Sequence, residues 1–75
     1  MLYRKLRGAL IEKEIDQVYL AKKLGLNQPV SISKRMTGKV PWRINEMYAI
    51  LDLLGVPYEM LPVYFPKDGR APSGS

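Results

Sequence analysis

The sequence predicts an all-α fold, a compact bundle of four to five short helices, and three observations carry that prediction. Apolar residues recur three and four positions apart within short segments, the spacing of one buried helix face. Those segments are punctuated by Gly25, Gly38, Pro41, Gly55 and Pro57, residues that end helices or turn the chain. The chain has 75 residues, 47% of them hydrophobic, enough for one compact core but not for a second module. The domain is expected over residues 1–66, with residues 67–75, rich in Pro, Gly and Ser, as a disordered tail.

A first helix is expected from about Leu2 to Lys13, with Leu6, Ala9, Leu10 and Lys13 tracing its stripe and Tyr3 joining the core. Arg4, Lys5 and Arg7 on its solvent side read as plain surface in preference to DNA-backbone contacts. Glu14 and Ile15 form the link to the next element, with Ile15 plugging the space between helices.

From Asp16 to Gly38 the chain reads as two short helices joined by a tight turn. Asp16 is an N-cap residue, and Leu20, Ala21 and Leu24 give the following helix its buried side. Tyr19 stands where a capping box would place Glu or Gln, so the cap is incomplete. Gly25 supplies the left-handed backbone that stops the helix, and Leu26 tucks into the junction. The second helix restarts at Gln28 or Pro29, since proline is tolerated in a first turn. Ile32 and Met36 then face inward, which leaves Val30, Ser31, Ser33, Lys34 and Arg35 on or near the outer face. Small, hydroxyl and cationic side chains of this kind suit a DNA major groove, where Val meets a thymine methyl and Ser or Lys reaches base edges or phosphates.

Thr37 to Trp42 is a loop that reverses at Gly38 and Pro41 and places Lys39 where it can approach a sugar-phosphate backbone. Trp42 reads as structural: with Arg43 preceding the next helix, Trp42 and Met47 occupy the positions of a hydrophobic staple. Arg43 itself stands where Ser, Thr or Asp would cap better, and this local misfit beside the basic segment points to a phosphate contact. The fourth helix, Ile44 to Leu54, is expected to bury Ile44, Met47, Tyr48, Leu51 and Leu54. Ile50 and Leu53 fall outside that stripe, so either a fifth helix or a partner subunit covers them. Gly55 stops the helix, Pro57 restarts a short turn through Leu61, and Pro62 to Pro66 reads as an extended apolar segment. That segment either folds back on the fourth helix, the preferred reading for so small a domain, or packs across a dimer axis. Ile50, Leu53, Tyr64 and Phe65 are the candidate dimer-interface residues.

Composition excludes several functions. The chain has no cysteine and no histidine, which removes disulfides, thiolate or zinc sites and the usual nucleophiles and bases. Its carboxylates are scattered and no phosphate-cradling glycine motif is present, so no catalytic residue, metal, cofactor or small-molecule ligand is expected. No apolar run reaches the length of a membrane span and no secretory signal opens the chain, which implies a cytoplasmic protein with no membrane partner. The net charge is +5, and between Gln17 and Asn45 there is no acidic residue, whereas Lys22, Lys23, Lys34, Arg35, Lys39 and Arg43 supply six cations. Such segregation favours a polyanionic partner over a merely solvated face.

The stretch from Gln17 to Gly38 resembles the Cro/cI-type helix-turn-helix of phage and bacterial repressors, the lambda repressor-like or XRE-like DNA-binding domain. The family pattern runs T-Q-x-x-L-A-x-x-L-G-V-S-Q-x-x-I-S-x-x-x-x-G, and it is matched here by Gln17, Leu20, Ala21, Leu24, Gly25, Leu26, Ile32, Ser33 and Gly38. The likeness extends through Pro41 and the helix ending Leu53, Leu54, Gly55, Val56, and so covers roughly residues 4–61. It implies that Gln17 bonds a DNA phosphate and that the second helix reads bases. The chain departs from the pattern by one extra residue between Gly25 and Ile32. Counted from Ile32 the first base-reading position falls on Pro29, and counted from Gly25 it falls on Gln28.

The functional expectation is a sequence-specific regulator of transcription that binds double-stranded DNA, a repressor of the Cro/cI type in a bacterial or phage-infected cell. Its DNA-binding residues are Gln17, Gln28, Pro29, Val30, Ser31, Ser33, Lys34, Arg35, Lys39 and Arg43. A single module of this size buries little DNA surface, so a homodimer, at least on DNA, on a pseudo-palindromic operator is expected. The alternative is a protein-interaction module of antitoxin or anti-repressor type, which keeps the fold while the elongated turn abolishes base readout.

Overall fold

The computed structural model describes residues 2–69. Five α-helices follow one another: α1 (Arg4–Glu12), α2 (Gln17–Lys23), α3 (Val30–Met36), α4 (Ile44–Leu54) and α5 (Leu61–Tyr64). Single turns of 3-10 helix at Tyr58–Met60 and Lys67–Gly69 complete the described chain, which contains no strand. α2 packs against α3, and α5 lies on α1 and α4. The core gathers Leu6 and Leu10 from α1, Leu20 and Ala21 from α2, Ile32 and Met36 from α3, and Ile50, Leu51 and Leu54 from α4. The fold is therefore the predicted small all-α bundle.

Local chemistry sets the helix ends. At α2, the Asp16 carboxylate accepts the Tyr19 N–H at 2.8 Å, satisfying one of the donors that a helix start leaves open. At its exit, Gly25 takes φ 73° and lets the Leu26 N–H reach back to the Ala21 carbonyl at 2.8 Å, with Leu26 packed on the core. Gly38, at φ 82°, does the same after α3, and the Lys39 N–H donates to the Lys34 carbonyl at 2.9 Å. A β-carbon at Gly38 would also lie 3.0 Å from the Leu2 side chain, so position 38 is constrained twice. Between α1 and α2 the same left-handed conformation falls on Glu14, at φ 57°, where a side chain is disfavoured.

Arg35 corrects one expectation. It does not lie on the outer face of α3: it is only 9% exposed and forms a forked ion pair with Glu46 of α4, itself 6% exposed. Arg35 Nε donates to Glu46 Oε1 at 3.0 Å and Nη2 to Oε2 at 3.2 Å, while Nη1 donates to the Ser31 carbonyl at 3.0 Å. Glu46 Oε1 also accepts the Arg43 backbone N–H at 3.0 Å, which caps the start of α4 from inside the helix. One carboxylate thus serves two elements. Burial pushes the Glu46 carboxyl up, but the Arg35 guanidinium and the Arg43 N–H outweigh it and hold the group below its ordinary value of 4.5.

The face of α4 also differs from the expected one. Ile44 and Tyr48, expected inside, are 57% and 38% exposed, whereas Ile50, expected outside, is fully buried at 0%. The inward side is Glu46, Met47, Ile50, Leu51 and Leu54, rotated by roughly one residue step from the predicted stripe. The proposed dimer residues are accordingly committed to the monomer. Ile50 and Phe65 are core residues, and Leu53 and Tyr64 are half-buried against that core.

The segment from Pro62 is not extended: Leu61–Tyr64 is one helical turn with Pro62 in its first turn, where the missing N–H is tolerated. It folds back on the domain and delivers Phe65 to an aromatic cluster. The Trp42 and Phe65 ring centroids are 5.5 Å apart and edge-on, and Tyr3 lies 6.3 Å from each. Trp42 is buried there, as its structural reading required, and its indole N–H finds no hydrogen-bond partner among the described residues. The ordered domain runs past the expected boundary at residue 66, because the Gly69 carbonyl accepts the Tyr3 N–H at 2.6 Å. The remainder of the expected tail, residues 70–75, lies outside the described residues.

Three consequences are measurable by urea denaturation. Leu20→Ala and Ile32→Ala, each emptying a fully buried site, should each lower stability by about 2 to 4 kcal/mol. Arg35→Ala should destabilise by about 3 to 5 kcal/mol, because it strands a buried carboxylate, and an unchanged midpoint would refute the buried pair. A depressed carboxylate pKa contributes stability that is complete above the unfolded value and is lost as pH falls through the folded one. The stability gap between the wild type and Glu46→Gln should therefore be widest at neutral pH and narrow below about pH 4.5.

Candidate nucleic-acid interface

The site is built on α2, the turn after it, and α3. Leu20, Ala21, Ile32 and Met36 press the two helices together and so fix which side chains remain outside. Gln17 is the first residue of α2 and is exposed, beside exposed Val18 and Tyr19. Six residues, Leu24 to Pro29, separate the helices. Asn27, Gln28 and Pro29 are exposed in that turn and precede α3, which begins at Val30. Pro29 already has helical backbone angles, and the Gln28 and Pro29 carbonyls accept the Ser31 and Ile32 N–H groups at 3.1 and 3.0 Å. The end of the six-residue connection is thus already wound into the entry of α3.

On α3 itself, Val30 and Lys34 are exposed and one helical turn apart, with Ser31 and Ser33 half-buried beside them. Ile32, Arg35 and Met36 make up its inner side. Of the sequence candidates, Gln17, Gln28, Pro29, Val30, Lys34, Lys39 and Arg43 are exposed, Ser31 and Ser33 are partly so, and Arg35 is withdrawn. Thr37 is exposed after α3, but its hydroxyl already donates to the Ser33 and Lys34 carbonyls at 3.0 and 3.2 Å.

Electrostatics follow from this placement. In the acid-free stretch Lys22, Lys23, Lys34, Lys39 and Arg43 remain exposed, while Arg35 is neutralised by Glu46. The Lys23 ammonium lies 5.4 Å from the Tyr19 ring centroid, a cation–π contact along the outside of α2. The backbone turn after Gly38 holds Lys39 against the last turn of α3. Such a surface offers amide, hydroxyl and ammonium donors to acceptors on a polyanion. Among the described residues no cluster of Asp and Glu could hold a metal ion, and no helix is long and apolar enough to cross a membrane.

Sequence reasoning missed Arg7. Read as plain surface, it is half-buried, donating Nε to the Leu2 carbonyl at 3.1 Å and Nη2 to the Met36 carbonyl at 3.4 Å. It thereby anchors the end of α3 to the start of the chain. A run of three cations among four residues carries no signal that singles out the one turned inward.

Comparison with known proteins gives a family and no further match. No curated protein and no solved structure matches the chain. A family described as a protein of unknown function, DUF739, matches residues 1–68, and the chain belongs to that family.

Proposed function

We propose that this protein is a sequence-specific double-stranded DNA-binding regulator of transcription, a repressor of the Cro/cI type that acts as a homodimer on a pseudo-palindromic operator in the cytoplasm. The observation that carries this reading is the outward side of α3, where Val30 and Lys34 are exposed, with Ser33 half-buried between them, beside exposed cations in a stretch without a single acid. The inner side of the same helix is locked by core packing and by the Arg35 ion pair. A short helix held rigidly from behind, with small and cationic residues in front, has the shape and chemistry for a major groove. Lys22, Lys34, Lys39 and Arg43 would supply phosphate contacts and most of the affinity, Gln17 a further phosphate contact, and Gln28, Pro29, Val30, Ser31 and Ser33 the discrimination between base pairs. Arg35 has no direct part in this reading. It orients the helix.

Site selection from a random DNA duplex pool at two salt concentrations tests the function. An enriched inverted repeat whose binding weakens steeply with salt is the expected result, and enrichment of no sequence would defeat it. Lys34→Ala should weaken binding to all sequences, flatten the slope of log affinity against log salt by about one, and leave thermal stability unchanged.

A further inference from the structure

With Ile50, Leu53, Tyr64 and Phe65 committed to the core, a surface for a second copy must lie elsewhere, and α1 carries one. The inward side of α1 is set by Leu6 and Leu10. Gly8 stands two positions from each, about 160° round the helix from both, and is therefore its outermost point. Glycine is the poorest interior helix residue apart from proline, so its presence there calls for a reason. The fold of one chain supplies none: a β-carbon at Gly8 would meet nothing within 4 Å. Beside it Ile11 is 76% exposed, the highest value among the exposed large apolar side chains. On that flank opens a depression of about 540 Å³ whose lining includes Gly8, Leu10, Ile11, Ile15 and Leu20. A low saddle next to an uncovered isoleucine and an apolar hollow is shaped for another helix to cross closely.

Charge selects the crossing helix. Arg4 is the first residue of α1 and Glu12 the last, and both are exposed. Each lies at the end where the helix dipole disfavours its charge, since helix starts favour anions and helix ends favour cations. Within α1 the residue four positions from either is Gly8, which offers no partner, and neither forms an ion pair among the described residues. Four positions advance a helix by about 6 Å and about 40° beyond a full turn, so Arg4, Gly8 and Glu12 form one continuous ridge centred on Gly8. A second α1 running antiparallel across Gly8 lays its own ridge along this one, at the roughly 50° crossing that such ridges favour. Arg4 of each copy then meets Glu12 of the other, with Lys5 next to the same carboxylate. The order along the ridge, cation, glycine, carboxylate, is complementary to itself only when reversed.

We propose that two copies of this chain associate through α1, crossing antiparallel at Gly8 on a two-fold axis, with reciprocal Arg4–Glu12 ion pairs at the ends and Ile11 of each copy seated beside Gly8 of the other. The pairing stands on the surface of α1 alone and goes beyond the DNA-binding reading.

The test is sedimentation of the full chain without DNA, from low micromolar to near-millimolar concentration. The wild type should pass from monomer to dimer. Gly8→Lys should abolish dimerisation over this range, because it sets two ammonium groups on the axis, while improving the helix and leaving the packing of one chain untouched. Arg4→Glu and Glu12→Arg should each raise the dissociation constant by about tenfold or more, since each then faces its like charge. Both reversals suit the helix dipole, so undiminished helical circular dichroism separates lost association from lost fold. The double variant Arg4→Glu/Glu12→Arg should recover dimerisation, because the swapped charges again face their opposites. A chain that stays monomeric throughout, a dimer indifferent to Gly8→Lys, or a double variant no tighter than either single reversal would overturn the proposal. Since no DNA is present, a dimer that fails to select any DNA sequence would count against the DNA reading and not against this interface.

Discussion

The forked pair between Arg35 and Glu46 is the constraint on which the rest of the arrangement turns. The two residues sit on α3, which carries part of the candidate interface, and on α4, which packs behind it. Their charges are nearly closed off from solvent, so each depends on the other, on the Ser31 carbonyl and on the Arg43 N–H for its remaining hydrogen bonds. A buried pair of this kind contributes little net stability over an apolar replacement, yet it tolerates only one relative placement of its helices. Its effect is therefore on geometry. Rotating α3 to bring Arg35 outward would carry Ile32 and Met36 away from the core and leave Glu46 unpaired.

Much of the fold was legible because it is encoded locally. Asp16 before α2, Gly25 and Gly38 after α2 and α3, and the bounds Ile44 to Leu54 of α4 follow from capping and left-handed turns that need no knowledge of the partner elements. The errors lie where the information is tertiary. Eight of the eleven residues of α4 are apolar, Ile44, Met47, Tyr48, Ala49, Ile50, Leu51, Leu53 and Leu54, so hydrophobic spacing does not single out one face. Its direction is set instead by Glu46, which must point at Arg35, and that rotation turns Ile44 and Tyr48 outward. Likewise nothing in the order Ser33, Lys34, Arg35 says which of two adjacent cations finds a carboxylate eleven positions later. The prolines around Phe65 suggested an extended strand of chain, but proline in a first helical turn is compatible with the short α5 that forms.

The candidate interface was legible to a similar extent. The acid-free stretch and the resemblance to a repressor-like pattern lead to α2, α3 and the loop after them, and the side chains expected outside are exposed there apart from Arg35, which is buried, and Ser31 and Ser33, which are half-buried. The six-residue connection Leu24 to Pro29 leaves Ile32 and Met36 packed in the core on the inner side of α3. Gln28 and Pro29 lie ahead of the helix and not within it. A reader of DNA built this way would present a proline ring and Val30 at the leading edge of its helix, favouring apolar contact over the amide hydrogen bonds of a glutamine.

The single tryptophan has a practical consequence. Trp42 sits where the beginning of the chain, the loop between α3 and α4, and the end of α5 converge, edge-on to Phe65 and Tyr3. Its indole is sealed from water, so its emission wavelength is a built-in optical gauge of whether those three segments are joined. A red shift under mild destabilisation, ahead of any loss of helical dichroism, would identify this seam as the first part of the domain to open.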